Sequence, residues 1–126
     1  MYSVNITNTT QSKVTMQVKV STNPTIEKHP GCVAAAAATI GDKWTPLIIM
    51  EIAGGRTRFS TIEKALPGIS PRTLSQRLDS LEHCKILTKK SYNEVPPRVE
   101  YHLTAKGRDL IPILKSMAAW GDKYKT

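Results

Sequence analysis

Residues 67–82 read PGISPRTLSQRLDSLE. Gly68 supplies a turn and Ser70 is placed to cap a helix. Pro71 falls at the first helical position, where its fixed φ suits a helix start and its missing N–H costs little. Leu74, Leu78 and Leu81 follow at helical spacing and form one apolar stripe. The outer face carries Arg72, Thr73, Ser75, Gln76, Arg77 and Asp79, all hydrogen-bonding or charged. The pattern predicts an amphipathic helix over 70–82 whose polar face is available to a partner.

Working upstream, RTRFSTIEKAL (56–66) places Phe59, Ile62, Ala65 and Leu66 on one face of a short helix, with Ser60 as cap and Glu63 completing a capping box. Before it, KWTPLIIMEIA (43–53) follows a capping Asp42 and ends at Gly54 and Gly55. Trp44, Leu47, Ile48, Ile49 and Ile52 are its expected core face, and Pro46 sits harmlessly in the first turn. Earlier still, CVAAAAATIG (32–41) is a helix of high propensity closed by Gly41. Its alanines permit close approach of another helix.

Downstream the period changes. ILTKKSY (86–92) and VEYHL (99–103) are β-prone runs separated by NEVPPR (93–98), whose prolines exclude helix. They predict a two-stranded hairpin. Residues 104–125 then form a last helix, capped by Thr104, with Leu110, Ile113, Leu114, Met117 and Trp120 as its apolar stripe. Pro112 either bends this helix or marks its effective start.

The order of four helices, a hairpin and a long helix predicts an α+β, mostly helical fold: a winged helix-turn-helix with a two-stranded wing and a long C-terminal helix. In that architecture the second helix of the motif enters the major groove of duplex DNA with its N-terminal residues. Arg pairs bidentately with guanine, Gln with adenine, and Ser or Thr with either. Arg72, Thr73, Ser75, Gln76 and Arg77 are therefore the candidate base readers. Ser70 lies at the helix N-terminus, where a phosphate is favoured. Arg58 precedes the motif, and Lys89, Lys90 and Arg98 make the wing cationic. The competing readings are a solvated helix face and a winged-helix protein-interaction module that does not bind DNA specifically.

The 126 residues suit one modest domain, and 18 Lys and Arg against 10 acids give a net charge of +8 and a pI near 9.7. Such a balance fits a polyanionic partner, although basic charge also serves solubility alone. Residues 1–30 are a Ser/Thr/Asn-rich arm, read as a short hairpin or disordered; residues 31–126 are the DNA-binding domain. Two cysteines, no signal peptide and no membrane-length apolar run predict a soluble, cytoplasmic protein with reduced thiols. No phosphate loop, paired-His motif or nucleophile elbow is present, so no catalytic residue and no cofactor is expected. His29, Cys32, His83 and Cys84 have the chemistry of zinc ligands, but the adjacent pair 83–84 chelates poorly, and no metal is expected. Cys84 is read as core.

GDKWTPLIIMEI, RFSTIEKALPGISPRTLSQRLDSLE, VPPRVEYHLTAKGRDL and the later AAW together resemble the HxlR family of bacterial winged helix-turn-helix regulators, from about Cys32 to Trp120. The resemblance implies a homodimer joined by the first and last helices on a pseudo-palindromic operator. The apolar last helix and alanine-rich first helix, more than a core of this size needs, agree with a dimer. Many members of that family carry a cysteine where Cys32 stands, and several sense oxidants or electrophiles through it. A helix N-terminus favours the thiolate form of a thiol, and Lys28 and His29 are nearby. An inert, buried Cys32 is the simpler alternative, and the effector is unknown. The sequence departs from the family at Lys85, where Gly is usual, at Pro46, where an aliphatic is usual, and in its longer N-terminal arm.

Overall fold

The computed structural model describes residues 30–125, so the alternating pattern of the N-terminal arm and His29 lie outside the described residues. The chain divides into two compact units, with the boundary between Thr39 and Ile40. In the first unit lies most of helix α1 (Pro30–Ile40). Cys32 to Ala38 are all exposed, and the Thr39 hydroxyl donates to the Ala35 carbonyl at 3.2 Å.

The second unit holds α2 (Trp44–Ala53), α3 (Phe59–Ala65), α4 (Pro71–His83), strands β1 (Leu87–Tyr92) and β2 (Arg98–Leu103), α5 (Ala105–Arg108) and α6 (Leu110–Tyr124). Its core gathers Ile48, Ile49, Ile52, Ile62, Leu66, Ile69, Leu74, Leu78, Leu81, Ile86, Leu87, Tyr101 and Leu114. The three leucines of α4 are buried, as their spacing predicts. Gly68 makes the turn between α3 and α4 at φ 97°, a backbone state that side chains with a Cβ adopt at a cost.

Asp42 starts α2 as expected. Its Oδ1 accepts from the N–H groups of Trp44 and Thr45, both at 2.9 Å, and its Oδ2 accepts from the buried Thr45 hydroxyl at 2.6 Å. The expected core face of α2 is corrected at one position: Leu47 is exposed, while Thr45 is buried. The start of α3 is also corrected. The helix begins at Phe59, so Ser60 lies inside its first turn, and it is Thr61 whose hydroxyl reaches back to the Arg58 N–H at 3.3 Å.

The wing is a single antiparallel pair, with Leu87 opposite Leu103 and Tyr92 opposite Arg98. Arg98 is thus a strand residue, not a loop residue. A backbone bond from Tyr101 N–H to the Thr57 carbonyl at 2.8 Å ties β2 to the segment before α3. Lys85 takes φ 66° between α4 and β1, the left-handed state that makes Gly usual there.

The C-terminal segment is two helices, not one. The Thr104 hydroxyl accepts from Gly107 N–H at 3.0 Å to cap α5, and α6 restarts at Leu110 with Pro112 in its first turn. Of the predicted stripe only Leu114 is buried. Ile113, Met117 and Trp120 are exposed, with Trp120 at 69%. Cys84 is exposed as well, which corrects its placement in the core: helix α4 ends at His83, so Cys84 leaves the leucine stripe. Among the described residues no helix is long and apolar enough to cross a membrane.

Candidate nucleic-acid interface

Helix α4 presents its polar face because the leucine stripe fixes its rotation. Arg72, Ser75 and Gln76 are exposed and, with Asp79, share one face at helical spacing. At the N-terminus, Ser70 Oγ accepts from Thr73 N–H at 3.0 Å and donates to Thr73 Oγ1 at 2.9 Å. Both hydroxyls are therefore engaged in starting the helix, and Thr73 is half-buried.

Arg77 is placed differently from its neighbours. Its Nε donates to Asp42 Oδ1 at 3.2 Å, so the guanidinium lies against the start of α2. Burial pushes the Asp42 carboxyl up. The Thr45 hydroxyl and amide, Arg77 and the Trp44 amide outweigh that effect and hold it below the usual carboxylate range.

In the wing, alternation along a strand sends adjacent side chains to opposite faces. Lys89 lies opposite the buried Tyr101, on the core side of the hairpin, and Lys90 lies opposite Glu100 on the outer side. Burial pushes the Tyr101 phenol up; Asp79 and Glu82 of α4 add to this and Lys89 opposes it. Lys89 thus shares its side of the wing with α4. Arg98 packs on the Tyr92 ring, 4.0 Å from its centroid, between Glu94 and Glu100. The His102 hydrogen bond chiefly, with Tyr92 and Arg98, holds the Glu100 carboxyl down against its desolvation.

The ten expected DNA-binding residues therefore fall into two groups. Arg58, Arg72, Ser75, Gln76, Lys89 and Lys90 present exposed side chains, that of Lys90 with its ammonium 5.3 Å from the Tyr92 ring centroid. Ser70, Thr73, Arg77 and Arg98 are engaged with protein partners. Sequence reasoning took Asp42 only as a helix cap and did not single out Tyr92. Nothing local signals the pairing of Asp42 with Arg77, which are 35 positions apart. Lys106 was also missed: its Nζ donates to the Cys84 carbonyl at 2.7 Å, compensating the C-terminus of α4.

Cys32 is exposed in the first turns of α1, and among the described residues both cysteines are free. Also among the described residues, no group of three or more His, Cys, Asp or Glu is arranged to hold a metal ion.

A family model described as the HxlR-like helix-turn-helix matches residues 39–126. An uncharacterised HTH-type transcriptional regulator of Methanothermobacter thermautotrophicus is 42% identical over 92 residues, 73% of this chain and 70% of that one. The HTH-type regulator YdeP of Bacillus subtilis is 38% identical over 96 residues, 75% of each chain. Among solved structures, the redox regulator HypR in its oxidised form is similar at TM-score 0.71 and 35% identity, covering 75% of this chain and 97% of that one. The reduced form of the transcriptional regulator YodB from B. subtilis is similar at TM-score 0.65 and 35% identity, covering 73% and 90%.

Proposed function

Because the chain belongs to the HxlR-like helix-turn-helix family of DNA-binding transcriptional regulators, we propose that it binds a specific pseudo-palindromic operator as a homodimer. The observation that carries this reading is the face of α4 formed by Arg72, Ser75 and Gln76, which is solvent-exposed and makes no side-chain hydrogen bond or ion pair among the described residues. These three read bases in the major groove. Ser70 and Thr73 hold the helix N-terminus against a phosphate, and Arg77 sets the depth of α4 while adding positive charge. Arg58, Lys89, Lys90 and the wing around Arg98 face the backbone on either side of the groove.

The dimer reading rests on the exposed apolar side of α6, which runs through Ile113, Met117, Trp120 and Tyr124. A groove of about 240 Å³ beside it is lined by Pro46, Leu47, Met50, Leu114, Met117 and Ala118. Covering such a face removes apolar surface from water and favours association.

Response to thiol-reactive stress is the finer part of the proposal. HypR is described as a redox regulator in reduced and oxidised forms, and YodB in reduced and diamide-treated forms. Cys32 is exposed and lies in the first turn of α1, open to a thiol-reactive reagent.

The test is fluorescence anisotropy with duplex DNA from directly upstream of the protein's own gene, at ~150 mM salt, where exposed charges beyond ~8 Å are screened. Binding that survives a shuffled competitor, and that an electrophile weakens in wild type but not in Cys32→Ser, is the expected result. An unaltered response in Cys32→Ser removes that residue from sensing. Binding that the shuffled duplex abolishes, repeated with a randomised duplex library, leaves the protein-interaction reading in its place.

A further inference from the structure

Arg98 is the wing residue whose surroundings differ most from those of a DNA contact. Its Nη2 lies 3.2 Å from Glu94 Oε2, and its Nε lies 3.6 Å from Glu100 Oε2. The guanidinium carbon stacks 4.0 Å above the Tyr92 ring. Nε itself is buried and makes no hydrogen bond among the described residues. On the other side, Glu100 Oε1 accepts from the Tyr92 hydroxyl at 3.2 Å and meets His102 Nε2 at 2.9 Å. Two carboxylates and an aromatic face thus flank a guanidinium whose side chain is 32% exposed, and the Lys90 ammonium lies 5.3 Å from the centroid of the same ring.

The location explains what the cluster does. Tyr92 and Arg98 are the last pair of the ladder before the loop of residues 93–97. Pro96 and Pro97 have no N–H to donate, and the loop's own backbone contributes one bond, from Glu94 N–H to the Tyr92 carbonyl at 2.9 Å. A two-stranded hairpin alone is marginally stable in water. The side-chain cluster supplies at the wing tip the closure that the loop backbone lacks.

We propose that Arg98 is a positioning residue: flanked by Tyr92, Glu94 and Glu100, it sets the wing so that Lys89 and Lys90 meet the DNA backbone, and does not itself touch nucleic acid. This rests on the DNA-binding reading above. Lysine in its place keeps the charge but loses the planar fork that reaches two carboxylates while stacking on a ring.

The experiment compares wild type, Arg98→Ala, Arg98→Lys and Lys89→Ala on one duplex across a salt series, with NMR of the free protein. A phosphate contact contributes about 0.9 to the slope of log K against log salt. The expected result is a several-fold loss of affinity and a lowered slope in both Arg98 variants, because Lys89 and Lys90 leave the phosphates in each, and a slope lowered by about 0.9 in Lys89→Ala. In the free protein, Arg98 side-chain protons are shifted upfield by the ring and return to ordinary positions in Tyr92→Leu. Wild-type affinity in Arg98→Lys together with a lowered slope in Arg98→Ala would make Arg98 a phosphate contact and overturn the proposal. So would full affinity in both variants, or Arg98 protons at ordinary shifts in the folded wild type. If wild type binds no duplex, the DNA reading fails, while the NMR comparison still decides whether the cluster holds the wing. Should Arg98→Ala not fold, the Arg98→Lys and Tyr92→Leu arms carry the test.

Discussion

Arg77 on the recognition helix donates to Asp42, the residue that also caps α2, at 3.2 Å. One carboxylate therefore starts one helix and anchors another. The orientation of α4 is set from both sides, by the buried leucines beneath and by this pair at its flank.

Replacing Asp42 by Ala removes the cap and the anchor together. A loss of about 0.5–2 kcal/mol is expected from the cap, whereas Arg77→Ala costs less than about 1 kcal/mol because the pair is part-exposed. The Asp42 carboxyl is held down in the folded state, so the unfolded chain binds the proton more tightly. Its contribution is present above the ordinary carboxylate range near 3.9 and is lost as pH falls through the lower folded value. Urea titrations from pH 7 to pH 2 should show a shallower acid loss in Asp42→Asn than in wild type. Parallel curves would mean that the interactions of Asp42 do not depend on its charge.

Leu78 is fully buried. Leu78→Ala should destabilise the domain by about 2–5 kcal/mol, measured by chemical denaturation. An unchanged midpoint would show that α4 is rotated from the phase described.

Lys85 occupies the left-handed region at φ 66°. Lys85→Gly should raise stability by about 1 kcal/mol. The gain is limited because Gly is more flexible when unfolded. A drop in melting temperature would place the cost of Gly flexibility above the strain.

At the DNA face, Arg72→Ala should lower discrimination at one base pair by about 1–3 kcal/mol if the contact is bidentate. Competition against single-base operator variants measures it. Equal weakening on all of them would make Arg72 a phosphate contact.

The exposed face of α6 makes a prediction about mass. Trp120→Glu with Met117→Glu should shift the protein to monomer in sedimentation, with weaker operator binding and little change in the core. A dimer of undiminished stability would move the interface elsewhere.

How much was legible in the residues differs from place to place. The stripe of Leu74, Leu78 and Leu81, the cap at Ser70, the turn at Gly68 and the proline-interrupted hairpin were all readable, because each depends on neighbours within a few positions. Asp42 was readable as a cap for the same reason. Cys84 and Leu47 were misplaced because an apolar residue one step past a helix end, or at the margin of a stripe, is buried only if another element covers it.

The sequence by itself determined the order of elements, the phase of the recognition helix and the family to which the chain belongs. Those follow from local periodicity, capping and contiguous motifs. Only the tertiary structure decided which polar side chains remain available for DNA. A guanidinium such as Arg77 or Arg98 makes its strongest interactions with whatever carboxylate or ring the fold brings within a few ångströms. Asp42 reaches Arg77 across 35 positions, and Glu94, Glu100 and Tyr92 reach Arg98 through strand pairing.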